Sequence, residues 1–210
     1  MSTRTRIKFC GMTRVEDALA AVALGVDAIG MVLTPRSKRC ISPLQAREIR
    51  RALPPLVAAV TLFMDDEPGF IAEAVAIVQP DLLQFHGSET LEDCVRYDVP
   101  YIKAIAMAGS ADPRLCLREH TAAIGFLFDA HAHGEQGGSG RTFDWTRVPR
   151  GLSRPLLLAG GLTAENVGAA IRTAAPYAVD VASGIEAAPG IKDAAKMRRF
   201  VDAVHQCRNV

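Results

Sequence analysis

Several marks of specialised protein classes are missing from this chain. No uninterrupted apolar stretch of about 18 residues occurs, so no segment reads as a membrane span. Neither sign of charge is in excess: 24 Lys and Arg stand against 23 Asp and Glu, a formal net charge of +1. Without a basic patch or tail, neither nucleic acid nor a membrane surface is expected as a partner. Cysteine is sparse. The five, at positions 10, 40, 94, 116 and 207, are odd in number and form no CxxC pair, which argues against a disulfide framework and a structural zinc site. A reducing, cytoplasmic location is expected. The N-terminus, Met1-Ser2-Thr3-Arg4, runs into a short apolar segment without the core of a signal peptide. No linker or low-complexity tract divides the chain, so residues 1–210 are expected to form one domain.

What is present is an alternation. Short β-type runs occur at Ile7–Cys10, Ala28–Leu33, Val57–Phe63, Leu82–His86, Tyr101–Ala106, Ile124–Asp129, Pro155–Ala159 and Ala178–Ser183. Several are apolar throughout, as strands buried on both faces should be. Amphipathic helical stretches lie between them: Val15–Leu24, Pro43–Leu53, Phe70–Val78, Leu91–Tyr97, Ala164–Thr173 and Ala194–Gln206. Thr13, with Glu16 three residues later, reads as a capping box, Gly25 as a stop, and Ser42-Pro43 and Thr163 as helix starts. Strict βα alternation implies a parallel sheet. The first strand leads into Cys10-Gly11-Met12-Thr13, not GxGxxG, which disfavours an open dinucleotide-binding sheet. Eight units of about 25 residues fit a compact (β/α)8 barrel. The unit after the sixth strand departs from the pattern. His131–Arg141 is a glycine-rich loop without helical period, followed only by a short turn near Asp144–Arg147.

Barrel chemistry sits at the C-terminal ends of strands. Lys8 and Cys10 alternate onto one face of the first strand, and an ammonium there would favour a Cys10 thiolate able to act as base or nucleophile. The plain alternative is a packed cysteine serving as a small hydrophobe. Asp129 ends an apolar run, where desolvation would raise its pKa and suit a general acid; a cap or a salt-bridged aspartate is the alternative. The turns Ala159-Gly160-Gly161-Leu162-Thr163 and Ala182-Ser183-Gly184-Ile185-Glu186 follow the seventh and eighth strands, where barrels commonly hold phosphate. Gly137–Trp145 reads as a glycine-rich lid, Arg36, Lys38 and Arg39 as a charged loop at the catalytic end, and His120 and His205 as solvated helix residues. His131 and His133 form an H-x-H pair, but no companion ligands are evident at other strand ends and zinc catalysis needs about three, so no metal is expected.

Six segments in order, Lys8–Thr13, Ser37–Ser42, Leu83–Gly87, Gly137–Trp145, Ala159–Leu162 and Asp180–Glu186, resemble the motifs of the phosphoribosylanthranilate isomerase family along nearly the whole chain. The resemblance implies an Amadori rearrangement of N-(5′-phosphoribosyl)anthranilate in tryptophan biosynthesis, with no cofactor. It implies Cys10 as general base and Asp129 as general acid. Arg39 would hold the anthranilate carboxylate, and Gly160, Gly161, Ser183 and Gly184 the phosphate. Lys8, His86 and Asp180 would line the substrate site, Asp180 near the aminoaryl portion. Departures from the motifs are Cys40 for Tyr, Phe85 for Leu, Ser139 for Thr, and Ala182 for the first Ser, which removes a possible hydroxyl donor near the phosphate. Arg36, three residues from Arg39, competes for the anchor role. The expected partner is a phosphorylated small molecule, and the chain is expected to be a monomer or a homodimer. Rival readings are the related aminoimidazole ribotide isomerase, which resembles two half-barrel repeats with paired aspartates, and a phosphate-binding barrel without catalysis.

Overall fold

The computed structural model describes residues 4–108, 112–131 and 142–207. Eight parallel strands close into a barrel in sequence order: β1 (Arg6–Phe9), β2 (Ala28–Val32), β3 (Ala58–Phe63), β4 (Leu82–Phe85), β5 (Tyr101–Ala106), β6 (Gly125–Asp129), β7 (Leu156–Leu158) and β8 (Ala178–Val181). Closure is made by β1 against β8, with Lys8 beside Asp180 and Phe9 beside Val181. Helices α1 (Val15–Ala23), α2 (Pro43–Ala52), α3 (Pro68–Val78), α4 (Leu91–Val95), α5 (Pro113–Glu119), α6 (Val167–Ala174) and α7 (Ala194–Gln206) alternate with the strands. Between β6 and β7 the described residues hold only a 3-10 turn, Trp145–Arg147, as the glycine-rich composition led one to expect. A small antiparallel ribbon, β9 (Glu186–Ala188) with β10 (Ile191–Lys192), sits between β8 and α7.

The period-2 geometry of a strand sorts side chains into two sets. Ile7 and Phe9 of β1 join the large core between barrel and helices, Phe9 meeting Phe200 of α7 edge-on with ring centroids 5.9 Å apart. Burying one such ring stabilises the fold by roughly 1.5–3 kcal/mol. The alternate positions of β5–β8 supply a second cluster inside the barrel, Ile102, Ala104, Leu127, Leu157, Ala159 and Ala178, with Leu82 of β4 packed against it. Nearer the C-terminal ends, Cys10, Val32 and Leu62 form a third, with Ala182 packed against it. Lys8, Cys10, Gln84, His86, Asp129 and Asp180 all have this inward parity.

Local signals fared unevenly. Ser42 makes the expected cap as a full box with Gln45, with Pro43 at the first helical position. Gly25 ends α1 with φ +82°. Thr13 does not cap α1: the N-cap is Arg14, and the Thr13 hydroxyl donates instead to the Gly190 carbonyl at 2.5 Å. Thr163 opens a turn held by Asn166, and the helix proper begins four residues later at Val167. The pattern missed α5, a short helix capped by Asp112 that buries no residue completely.

His120, expected in solvent, is buried at the C-terminal end of α5, its Nδ1 3.3 Å from the Tyr101 hydroxyl. His205 is half-buried on α7. Burial, reinforced by the Lys103 charge and opposed by Glu89, pushes the His120 pKa down to about 4. An unfolded chain therefore takes up a proton near the ordinary histidine value of about 6.5, while the folded chain does not until about 4. This contribution leaves stability intact above that upper value and erodes it as pH falls through the window. In urea unfolding at about pH 7 and about pH 4.5, the wild-type midpoint should drop on acidification, and His120→Gln should show a smaller drop. Parallel acid dependence in the two proteins would rule out His120 as a source of acid lability.

Candidate active site

An open cavity lies at the C-terminal mouth of the barrel. Its wall brings together five of the six residues expected for catalysis and substrate contact: Cys10 from the end of β1, His86 after β4, Asp129 at the end of β6, Asp180 on β8 and Arg39 from the loop after β2. Lys8 is buried and out of the wall, with its ammonium on Asp180 at 2.9 Å. Gly160, Gly161, Ser183 and Gly184 occupy the adjoining turns after β7 and β8, half-buried and outside the cavity wall. Gly160 has φ +85° and a Cβ there would press on Ala130, so the backbone can fold back this closely only with glycine.

Gly30 on β2 makes room for the side chains of Lys8 and Cys10. A Cβ at this position would lie 2.8 Å from Cys10 Sγ and 3.0 Å from Lys8 Nζ. Nothing in the local sequence marked Gly30 as part of the site. The electrostatics of the pair differ from the expectation. Burial pushes the Cys10 thiol above its ordinary pKa; Lys8 and Lys192 pull it down, but Asp180 adds to the rise. Lys8 thus favours the thiolate as anticipated, without determining the outcome. Lys8 itself, although burial works against its charge, is held above the usual lysine range by Asp180 and Cys10.

Asp129 departs further. Burial raises a carboxyl pKa, as the sequence argument supposed, but His131 and His86 outweigh it and hold Asp129 well below the usual carboxylate range. Its Oδ2 lies 3.4 Å from His86 Nε2 and 3.7 Å from His131 Nδ1, approaches too long for strong hydrogen bonds. The imidazoles thus favour the carboxylate over the acid form that burial alone would favour. His131 was singled out in the sequence only as half of an H-x-H pair. His133, the other half, lies outside the described residues, as do residues 137–141 of the glycine-rich loop.

Arg39 folds across Gly11, where a Cβ would fall 2.5 Å from Arg39 Cδ, and its guanidinium grips Glu186 through Nε and Nη2, both at 2.7 Å. Glu186 also receives Lys192 Nζ at 2.9 Å, and the same ammonium donates to the Cys10 carbonyl at 2.7 Å and the Ala182 carbonyl at 3.1 Å. Arg36, the competing anchor, is exposed, 3.5 Å from Asp65, and absent from the cavity wall. On the far side of the mouth, buried Lys103 pairs with Glu89 at 2.8 Å while Glu89 accepts the Asp65 and Gly87 amides, tying together the loops after β3 and β4. Glu186, Lys192, Glu89 and Lys103 were not singled out in the sequence; Glu186 meets Arg39 across 147 positions and Lys192 meets the Cys10 carbonyl across 182.

A family model described as N-(5'phosphoribosyl)anthranilate (PRA) isomerase matches residues 7–203. The chain belongs to this family. Among its relatives, the N-(5'-phosphoribosyl)anthranilate isomerase of Pseudomonas paraeruginosa is 52% identical over 199 residues, covering 95% of this chain and 94% of its own. The crystal structure of phosphoribosyl anthranilate isomerase from Thermotoga maritima superposes with a TM-score of 0.87 at 41% identity, covering 96% of this chain and 99% of the other. A phosphoribosyl anthranilate isomerase solved in complex with reduced 1-(o-carboxyphenylamino)-1-deoxyribulose 5-phosphate gives 0.82 at 37% identity, with 96% and 99% coverage. The family members are isomerases built as (β/α)8 barrels, and this chain is an enzyme of that kind. Among the described residues no helix is long and apolar enough to cross a membrane.

The space above Gly30 yields a direct test. Gly30→Ala forces a methyl group against Cys10 Sγ and Lys8 Nζ, and overpacking of this kind typically costs 1–3 kcal/mol. Because the displaced atoms belong to the site, kcat should fall by at least about 10-fold, more than the loss of folded protein explains. Unchanged kcat at unchanged stability would show that Cys10 and Lys8 need no fixed position.

Proposed function

We propose that the chain converts N-(5′-phosphoribosyl)anthranilate into 1-(2-carboxyphenylamino)-1-deoxyribulose 5-phosphate in tryptophan biosynthesis, with Cys10 as base and Asp129 as acid. The observation that carries this reading is the meeting of these two residues, from strands β1 and β6, across one cavity. In the first step the C1′–O4′ bond of the furanose breaks. The anthranilate nitrogen supplies the electron pair for a C1′=N iminium, and O4′ takes a proton from the Asp129 carboxyl. In the second step C2′ gives its proton to the Cys10 thiolate. The freed electron pair forms C1′=C2′ and the iminium nitrogen regains its lone pair. The enolamine then tautomerises to the ketone. No electrons enter or leave, so the reaction calls for no cofactor.

Burial favours the Cys10 thiol and the neighbouring imidazoles favour the Asp129 carboxylate, the reverse of what these steps require. The count is nevertheless right. Moving one proton from Cys10 to Asp129 gives the working pair, and the Lys8 ammonium beside Cys10 favours the thiolate this creates. Arg39 meets the anthranilate carboxylate while Glu186 holds the guanidinium in its plane. The phosphate rests on the amides of the Gly160-Gly161 and Ser183-Gly184 turns, where glycine admits close approach. Asp180 and His86 border the sugar and the aminoaryl portion, and Lys8 acts from behind through Asp180.

Turnover of phosphoribosylanthranilate, followed as loss of anthranilate fluorescence, tests the reading. Activity should survive exhaustive dialysis against a chelator. Cys10→Ser and Asp129→Asn should each lower kcat by at least about 10²-fold with product-analogue affinity preserved within several-fold. Near-wild-type kcat in Cys10→Ser would remove the base assignment, and binding without turnover in the wild type would favour a phosphate-binding barrel.

Arg39→Met separates anchoring from chemistry. Loss of a charge-assisted bond of about 1.5–3 kcal/mol should raise KM roughly 10- to 100-fold with a smaller change in kcat, and Arg36→Met should do less. A collapse of kcat at constant KM would place Arg39 in the chemistry instead.

A further inference from the structure

Two imidazoles lie beside Asp129, and the isomerase reaction above gives no task to one of them, His131. His131 stands two residues beyond Asp129, and its ring lies against that of His86 with centroids 4.3 Å apart. His86, Asp129 and His131 are 7%, 7% and 4% exposed, and each offers a donor atom within 4.8 Å of the others. Three buried polar atoms here have no hydrogen-bond partner: His86 Nε2, His131 Nδ1 and Gln84 Oε1. The two ring nitrogens both face Asp129 Oδ2, at 3.4 and 3.7 Å. A buried polar atom left unpartnered costs about 1–3 kcal/mol, so two nitrogens converging on one carboxylate oxygen without good hydrogen-bond geometry make a receptive place for an added ion.

The spacings approach one chemistry. A tetrahedral ion with bonds of about 2.0–2.1 Å sets its ligand atoms about 3.3 Å apart; His86 Nε2 lies 3.4 Å from Oδ2 and His131 Nδ1 3.7 Å, with all three donors within 4.8 Å of one another, so His131 must draw in by a few tenths of an ångström to close on an ion. Two imidazoles and one carboxylate are a borderline donor set suited to Zn²⁺ and its neighbours, poorly suited to Mg²⁺ or Ca²⁺. The outer contact is one amide rotation away. Gln84 Nε2 lies 3.2 Å from His86 Nδ1, an arrangement that leaves the ring proton on Nε2, and turning the Gln84 amide over would bring Oε1 there as acceptor for an Nδ1–H. That frees the Nε2 lone pair for the ion and uses the orphaned Oε1. The backbone is fixed by Met107 N donating to the Asp129 carbonyl at 2.8 Å and Ala108 N to the His131 carbonyl at 3.2 Å. His86 and Asp129 line the open cavity, which gives an ion its entry and water a place at the fourth position.

We propose that His86, Asp129 and His131 form a binding site for one zinc-class transition-metal ion, and that occupation of this site inhibits the enzyme. The ion displaces water only; two nitrogen lone pairs and one carboxylate oxygen form the bonds. Inhibition follows because the coordinated Asp129 oxygen can no longer carry a proton, a consequence that rests on the isomerase reading above. Binding does not depend on that reading.

The test uses the full chain and two ions. Cobalt titrated into the apo protein should give one tight equivalent, with visible d–d bands and no thiolate-to-metal charge-transfer band. Zinc should compete for this equivalent against a chromophoric chelator. His131→Asn should weaken both ions at least about 10-fold, since even outer-shell losses typically cost that much. In turnover assays, with each protein referred to its own metal-free rate, zinc should inhibit the wild type reversibly and His131→Asn only at correspondingly higher concentration. A thiolate charge-transfer band would transfer the site to a cysteine, while equal affinity in His131→Asn or no bound equivalent at millimolar metal would overturn it. A chain that binds the ion but never turns over would sink the isomerase reading alone. One that turns over without binding would sink the metal site alone.

Discussion

Lys192 donates from one ammonium to the carbonyls of Cys10 and Ala182 and to the carboxylate of Glu186. These contacts join the exits of β1 and β8, the two strands that close the barrel, and hold the carboxylate that orients Arg39. Just inside, Lys8 and Asp180 span the same seam. Each ammonium has lost its water, and removing one partner of such a buried pair typically costs 3–5 kcal/mol because the other charge is stranded. The seam therefore serves closure and site placement together: the β1–β8 register that lets Lys8 meet Asp180 also brings Cys10 to the cavity and Arg39 to its edge.

Opposite the seam, Asp129 is governed by groups from another strand. The run Phe126-Leu127-Phe128 reads as an apolar setting, and an aspartate in such a setting should resist ionisation. The cavity instead presents it with His86 from β4 and His131 from its own exit, and two imidazoles outweigh burial. Cys10 shows the converse. Lys8 acts on it in the expected direction, but complete burial and the Asp180 charge win. In both cases the local contribution was read correctly and its rank among the others was not.

The barrel was legible because period-2 alternation and eight apolar runs are properties of short segments. All eight strands occur where the runs lie, with ends moved by only a few residues. The same parity placed Lys8 and Cys10 on the inward face. Signals that depend on competition were less legible. Thr13 has the chemistry of a cap, yet its hydroxyl finds the Gly190 carbonyl 177 positions away. Helix α5 escaped notice because a short helix with no fully buried residue has little amphipathic signature. Gly30, Glu186 and Lys192 matter through what approaches them from elsewhere in the chain, and a single sequence carries no mark of that. The motifs named residues that the structure gathers around one cavity, but they were silent on His131.

The contacts at the seam also order events in time. Lys8 meets Asp180 across 172 residues and Lys192 meets the Cys10 carbonyl across 182, so β1, though β2 follows soon after it, spends most of synthesis without β8. Until β8 and the ribbon after it have emerged, a nascent chain exposes β1's open edge and carries a lysine whose countercharge does not yet exist. Pairing across so long a loop is slow to form. The arrangement makes chemical competence a late property of folding: a stalled or prematurely ended chain holds Cys10, His86 and Asp129, yet has no closed site in which to use them.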